Sequence, residues 1–306
     1  MNRSVKDTAS EFPAVAGRLN AVPSQSPGYW TLVRKRLMRD PVTLIAAAVL
    51  VLIVLSAIFA PLLAPYDPFM GKITQRMKPV GFAGHLLGTD ETGRDMLSRL
   101  LYGGRLSLTS GIVPVAIALA VGGFLGISAG FFGGPVNSVI MRVTDIFYAF
   151  PSILLAIAIC GMLGTGLFNT LVSLTLVFIP PIIRISESVT TQVRSLDFVE
   201  AARASGARPF ALMRYQVLPN VLAPILVYAT SLVSLAIILA AGLSFLGLGV
   251  SAPAAEWGLM LNSLRQMIYI DPLLAALPGV LIFLTSMCFN LISDGLRSAM
   301  DVRLKL

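Results

Sequence analysis

The residues able to do chemistry are few in this chain and fall into two short charged stretches. One is Gly88-Thr89-Asp90-Glu91-Thr92-Gly93-Arg94-Asp95, and the other is Glu200-Ala201-Ala202, followed by Gly206 and by Leu218-Pro219. Neither is a catalytic constellation. A hydrolase working inside a membrane needs a Ser/His pair, paired aspartates or a metal at span depth, and the sequence offers no such set. His85, the single histidine, has no Cys or His at ligand spacing and reads as a loop or interfacial residue, so no metal site is assigned. Cys160 and Cys288 lie in apolar runs and read as packing residues rather than a disulfide framework. The Gly-x-x-x-x-Gly-Lys-Ser/Thr loop that cradles nucleotide phosphates is missing, so work drawn from ATP would have to come from another chain.

The elements that must position these stretches are membrane spans. Of 306 residues, 56% are hydrophobic and only 12% charged, where a soluble domain carries about a quarter charged. Uncharged runs cover Pro41 to Tyr66, Leu106 to Met141, Ile146 to Ile183, Tyr215 to Ala255 and Pro272 to Ser293, and a span needs about 20 residues. The third run would be about 57 Å long as one helix, against a hydrocarbon core of about 30 Å, so it reads as two short spans. Six spans result, near Val42–Leu63, Ser107–Gly130, Ile146–Met162, Leu171–Ile185, Val221–Leu243 and Pro272–Ser293.

Charge orients them. The formal charge of +8 is spread among membrane flanks, where a nucleic-acid footprint would cluster on a soluble face. Arg34, Lys35, Arg36 and Arg39 precede the first span; Arg194, Arg203, Arg208 and Arg214 surround Glu200; Arg297, Arg303 and Lys305 end the chain. The positive-inside rule puts all three places in the cytoplasm, as six spans with both termini inside require. Residues 1–40 then form a cytoplasmic tail ending in an interfacial helix from Tyr29 to Arg39. Residues 41–306 form the transmembrane domain, with an external segment over 65–105 and a cytoplasmic loop over 187–217. Arg142 with Asp145, and Arg184 with Glu187, are spaced three apart and expected to pair within their own helices. Ser173, Thr175, Thr230, Ser231, Ser234 and Asn290 are polar but uncharged, which disfavours an ion-coupled secondary transporter or channel because relays need intramembrane charge.

Within the cytoplasmic loop, Phe198, Ala201, Ala202 and Ser205 give a helix with a small-residue face, and Gly206 stands where a left-handed C-cap is common. A second short helix from Pro209 to Tyr215 opens on proline. The pair makes a compact knob able to pass force to a soluble partner, a feature that a purely structural membrane protein does not need. Glu-Ala-Ala, three residues, Gly, and Leu-Pro twelve positions later resembles the cytoplasmic loop of permease subunits in bacterial ATP-binding-cassette importers. The motifs His85–Asp95, Ser98–Arg105, Ala129–Gly134, Leu243–Gly249 and Ser293–Arg297 narrow the resemblance to the second permease of dipeptide, oligopeptide and nickel importers.

That resemblance implies an all-α polytopic protein of the type I importer permease fold in the bacterial cytoplasmic membrane. It implies a sister permease, two cytoplasmic ATPases that bind ATP and Mg, and an external substrate-binding protein. Glu200, Ala201, Ala202, Gly206, Leu218 and Pro219 would form the ATPase-coupling site, and this chain itself would carry no catalytic residue and no cofactor. Asp90, Glu91, Arg94 and Asp95 either cap and pair within an external loop or also contact the binding protein. Peptides are the implied cargo, with nickel, glutathione, opines and oligosaccharides as alternatives carried by similar subunits. Two departures stand out. Gln216 occupies a usually aliphatic position and should weaken an apolar contact before Leu218-Pro219, and Ser298–Arg303 departs from the usual Asp-Ala-Leu-Asp-Pro-Arg ending.

Overall fold

The computed structural model describes residues 29–300. The expected N-terminal tail, the side chains of Tyr29 and Trp30, and the flank at Arg303 and Lys305 lie outside the described residues. Within them, α1 (Tyr29–Leu37) carries the cationic flank and packs on α12 (Pro272–Met300). Asp40 caps α2 (Pro41–Ile58) by accepting from the Val42 N–H and the Thr43 hydroxyl. The Thr43 hydrogen bond holds the Asp40 carboxyl below its ordinary carboxylate range, as a bond to the charged form does. Pro61 then starts a separate turn, α3 (Ala60–Leu63), so the first crossing ends in two pieces where one continuous helix was expected.

Among the described residues five helices are long and apolar enough to cross a membrane, and there are six if one bent pair is counted as a single span. Four of the five are α2, α4 (Met96–Phe132), α7 (Leu167–Arg194) and α12, and the fifth ends in α10 (Leu218–Phe245). The third crossing differs from expectation. It consists of α5 (Gly134–Tyr148) and α6 (Ser152–Leu163), which meet at 86°. Pro151 explains the elbow, since it has no N–H to donate and biases Phe150 away from helical geometry. Alone, α6 with its 12 residues rises only about 18 Å.

Close approach of backbones organises the bundle. On α4, Gly122, Gly126 and Gly130 recur every fourth residue, on one face of the helix, and meet α7. A Cβ at Gly126 would stand 2.4 Å from the Ile183 carbonyl oxygen, and one at Gly130 would stand 2.7 Å from that of Glu187. Around this seam Leu174, Val177, Phe178 and Ile182 of α7 bury against Val115 and Ala118 of α4 and Ala236 and Ile237 of α10. Cys160 and Cys288 are both buried free thiols, as packing residues should be. The span hydroxyls mostly bond carbonyls of their own helix, Thr175 to Leu171 and Thr230 to Leu226, while Ser234 donates across to Asn290 of α12 at 2.9 Å.

Two expected ion pairs are replaced. Asp145 does not pair with Arg142 but with Arg184, whose guanidinium also lies 4.7 Å from the Tyr148 ring centre. Glu187 does not pair with Arg184 but accepts from Asn137 at 2.6 Å and from Thr191 at 3.2 Å. The physical reason is the turn at Gly133 and Gly134, both at positive φ, which folds α5 back onto α7 and brings cross-helix partners within reach.

Candidate functional site

The candidate loop expected on the cytoplasmic side is built between α7 and α10. Asp197 and Glu200 lie in the first turn of α8 (Asp197–Ala204) and Arg203 in its last, each complementing the helix dipole. Gly206 follows at φ 84°, with its N–H on the Arg203 carbonyl and the Ala207 N–H on the Ala202 carbonyl. This paired pattern is a Schellman close, which needs a left-handed residue at Gly206. Then come α9 (Pro209–Leu212), one π-helical turn at Met213–Val217, and Leu218 at the start of α10.

The knob is held from beneath by three apolar side chains. Val199, Leu212 and Val217 are buried against Ile127 and Phe131 of α4 and Val221 and Ile225 of α10. Val217, at the end of the π turn and beside the half-buried Gln216, is 0% exposed and belongs to this cluster.

The exposed face of the knob includes Glu200, Ala201, Arg203, Ala204, Ser205 and Gly206, while Ala202 is half-buried against the wedge. Leu218 is half-buried and Pro219 exposed in the first turn of α10, so they frame the knob's exit rather than its face. Phe198, Phe210 and Tyr215 add exposed aromatic surface, with Phe210 and Tyr215 at 67% and 68%. Tyr215 was not singled out from sequence, and an aromatic just before a membrane span gives no signal that separates this face from an interfacial anchor.

The external candidate has the opposite character. Asp90, Arg94 and Asp95 are buried, and Glu91 alone of the four reaches the surface. One Asp90 oxygen accepts from the Thr92 N–H, the Thr92 hydroxyl and the Arg94 N–H, and the other takes the Arg94 Nε at 2.6 Å. Asp95 caps α4 through the Ser98 N–H and hydroxyl, and its second oxygen lies 2.9 Å from His85 Nδ1. His85 is thus a buried partner in the loop core rather than an interfacial residue.

Arg99 completes the network. Its guanidinium donates to the carbonyls of Pro68, Pro253 and Ala254, and its Nε lies 3.3 Å from Asp90. It joins the segment after the first span to the loop after the fifth. Glu256 similarly caps α11 (Trp257–Ser263) while accepting from Ser107 of α4. Neither Arg99 nor Glu256 was singled out from sequence, since their partners are main-chain groups and a hydroxyl about 150 positions away. Among the described residues no group of His, Cys, Asp and Glu is arranged to hold a metal.

Long apolar helices carrying an anchored, surface-exposed helical knob define a polytopic transport subunit. The chain belongs to the family of binding-protein-dependent transport system inner membrane components, whose model matches residues 122–306. Residues 28–79 match the N-terminal TM domain of oligopeptide transport permease C. The chain is 45% identical over 261 residues to the di/tripeptide transport system permease protein DppC of Pseudomonas aeruginosa, covering 84% of this chain and 86% of that one. It is 38% identical over 276 residues to the glutathione transport system permease protein GsiD of Pectobacterium atrosepticum, covering 90% and 92%. Among solved structures, an inward-facing form of the MetNI methionine ABC transporter aligns with a TM-score of 0.55 at 20% identity, over 67% of this chain and 97% of that chain. At that identity the likeness establishes the fold alone.

Proposed function

We propose that this chain is one half of the translocation pathway of an ATP-driven importer of di- or oligopeptides, with both termini in the cytoplasm. The cargo reading rests on the match to a di/tripeptide permease along most of both chains. Glutathione, itself a modified tripeptide, is the second reading and is favoured by the match to GsiD. The partners are a sister permease, two ATPases and an external binding protein.

One observation carries the coupling assignment. The underside of the knob is wedged into α4 and α10 by Val199, Leu212 and Val217, while Glu200, Ala201 and Gly206 face outward. Anchored in this way, the knob moves as one body with two spans, so a push on its outer face is transmitted rather than absorbed by a loose loop. Glu200 meets a basic group of the ATPase, and the small Ala201 and Gly206 admit its backbone closely. Closure of two ATPases on ATP draws two knobs together and rocks the spans between outward- and inward-open states. Of the external cluster Asp90, Glu91, Arg94 and Asp95, only the half-buried Glu91 side chain is left for a binding protein to reach, with one carboxylate oxygen on Arg94 and the other shielded.

The test uses the complete transporter in proteoliposomes. Labelled dipeptide uptake and ATPase activity are measured for the native chain and for Glu200→Arg. The variant should insert normally and lose most uptake; full uptake by Glu200→Arg removes the coupling role. Comparing dipeptide with glutathione as cargo decides between the two substrate readings.

A further inference from the structure

A cleft of about 350 Å³ opens on the external side where the first crossing ends, lined by Pro61, Ala64, Tyr66, Asp67, Phe69 and Tyr102 among others. Three of these are aromatic and one is a carboxylate. Phe69 meets Tyr102 edge to face, with ring centres 6.2 Å apart, and Tyr66 leans on His85 at 4.8 Å, so Tyr66 is braced by the buried loop core and the other two rings brace each other. Asp67 is exposed and receives the Phe69 N–H at 2.7 Å, but no ion pair to a cation is found for it among the described residues.

One helical turn along α4 from Tyr102 is Arg105. Its guanidinium lies 5.2 Å from the Tyr102 ring centre and donates to the carbonyls of Ala57 and Ile58 at the end of α2, each at 2.7 Å. It too has no carboxylate partner among the described residues. A cation and an anion without counter-ions therefore flank one aromatic cleft. Below it, Leu55 and Ile58 of α2, Phe59 at the joint and Leu62 of α3 are exposed, and α2 is only 17% buried along its apolar length.

We propose that this cleft binds the headgroup of a zwitterionic phospholipid of the outer leaflet, a phosphatidylethanolamine. The phosphate sits against the free edge of Arg105, whose planar, weakly hydrated guanidinium suits phosphate. The ammonium enters the cleft, attracted by the faces of Tyr66, Phe69 and Tyr102 and by Asp67. The acyl chains run along the exposed Leu55, Ile58, Phe59 and Leu62. A phosphoethanolamine headgroup carries both charges one short linker apart, whereas an anionic headgroup such as phosphatidylglycerol leaves Asp67 facing a neutral glycerol. The site is remote from the knob and independent of the cargo.

Native mass spectrometry on the delipidated complex, with this chain in its natural assembly, tests the idea. Phosphatidylethanolamine or phosphatidylglycerol of identical acyl chains is added back, and the retained lipid is counted. The native complex should hold phosphatidylethanolamine about tenfold better, and free phosphoethanolamine should not displace it. Asp67→Asn keeps the acceptor for the Phe69 N–H and should erase the preference without lowering phosphatidylglycerol retention. Arg105→Gln should reduce retention of both lipids about tenfold. Equal retention of the two lipids by the native complex, or an unchanged preference in Asp67→Asn, overturns the proposal. Displacement by free phosphoethanolamine overturns the assignment to lipid.

Discussion

Substitution of Gly206 isolates the geometry of the knob from its surface chemistry. At φ 84°, Gly206 closes the Schellman turn after α8, and a Cβ built there meets nothing within 4 Å. Any effect of Gly206→Ala is therefore backbone strain and not a clash inside this chain. A left-handed alanine costs about 1–2 kcal/mol, and each 1 kcal/mol shifts the population of the turn about fivefold. Gly206→Asn should cost less, because asparagine visits this region more readily. Gly206→Pro is the severe case. Its φ is locked near about −65°, and it removes the N–H that bonds the Arg203 carbonyl. Reconstituted transporters should rank Gly, Asn, Ala, Pro in uptake per ATP hydrolysed, with the alanine form down roughly 5- to 30-fold if the turn geometry is what the ATPase engages. Membrane insertion, read by protease protection, should be unchanged. Uptake by the proline form equal to that of the native chain would refute the reasoning, because no left-handed turn can then be required.

Arg99→Met should lower the thermal midpoint of the purified complex. It strands three carbonyls and leaves Asp90 with one cation fewer, a loss of about 3–5 kcal/mol for a broken buried network; a midpoint within 1–2 °C of native, where on the order of 5–10 °C is expected, would count against a structural staple. On α4, Gly126→Ala places a Cβ 2.4 Å from the Ile183 carbonyl while Gly123→Ala meets nothing within 4 Å. The first should destabilise by about 1–3 kcal/mol through overpacking and the second should be near neutral, so equal midpoints for the two would show that the α4–α7 seam is looser than described.

The amino-acid sequence by itself determined the class of this protein. Span length, uncharged runs and the placement of arginines are properties of chain segments against a bilayer of given thickness, so they can be read one segment at a time. Gly206 as a cap and the two-helix knob were legible for the same reason, since caps are local. What only the tertiary structure decided are matters of which distant groups meet. Asp145 takes Arg184 in place of Arg142 because α5 folds back, and the third crossing bends at Pro151. Val217, beside Gln216 at the end of the π turn, joins Ile127 and Phe131 in one buried cluster. Asp90, Arg94 and Asp95, for which the sequence left loop pairing and partner contact both open, are a buried network, to which Arg99 adds carbonyls from segments about 30 and 155 residues away. Composition reports what a segment can bury; only the packed chain reports against what.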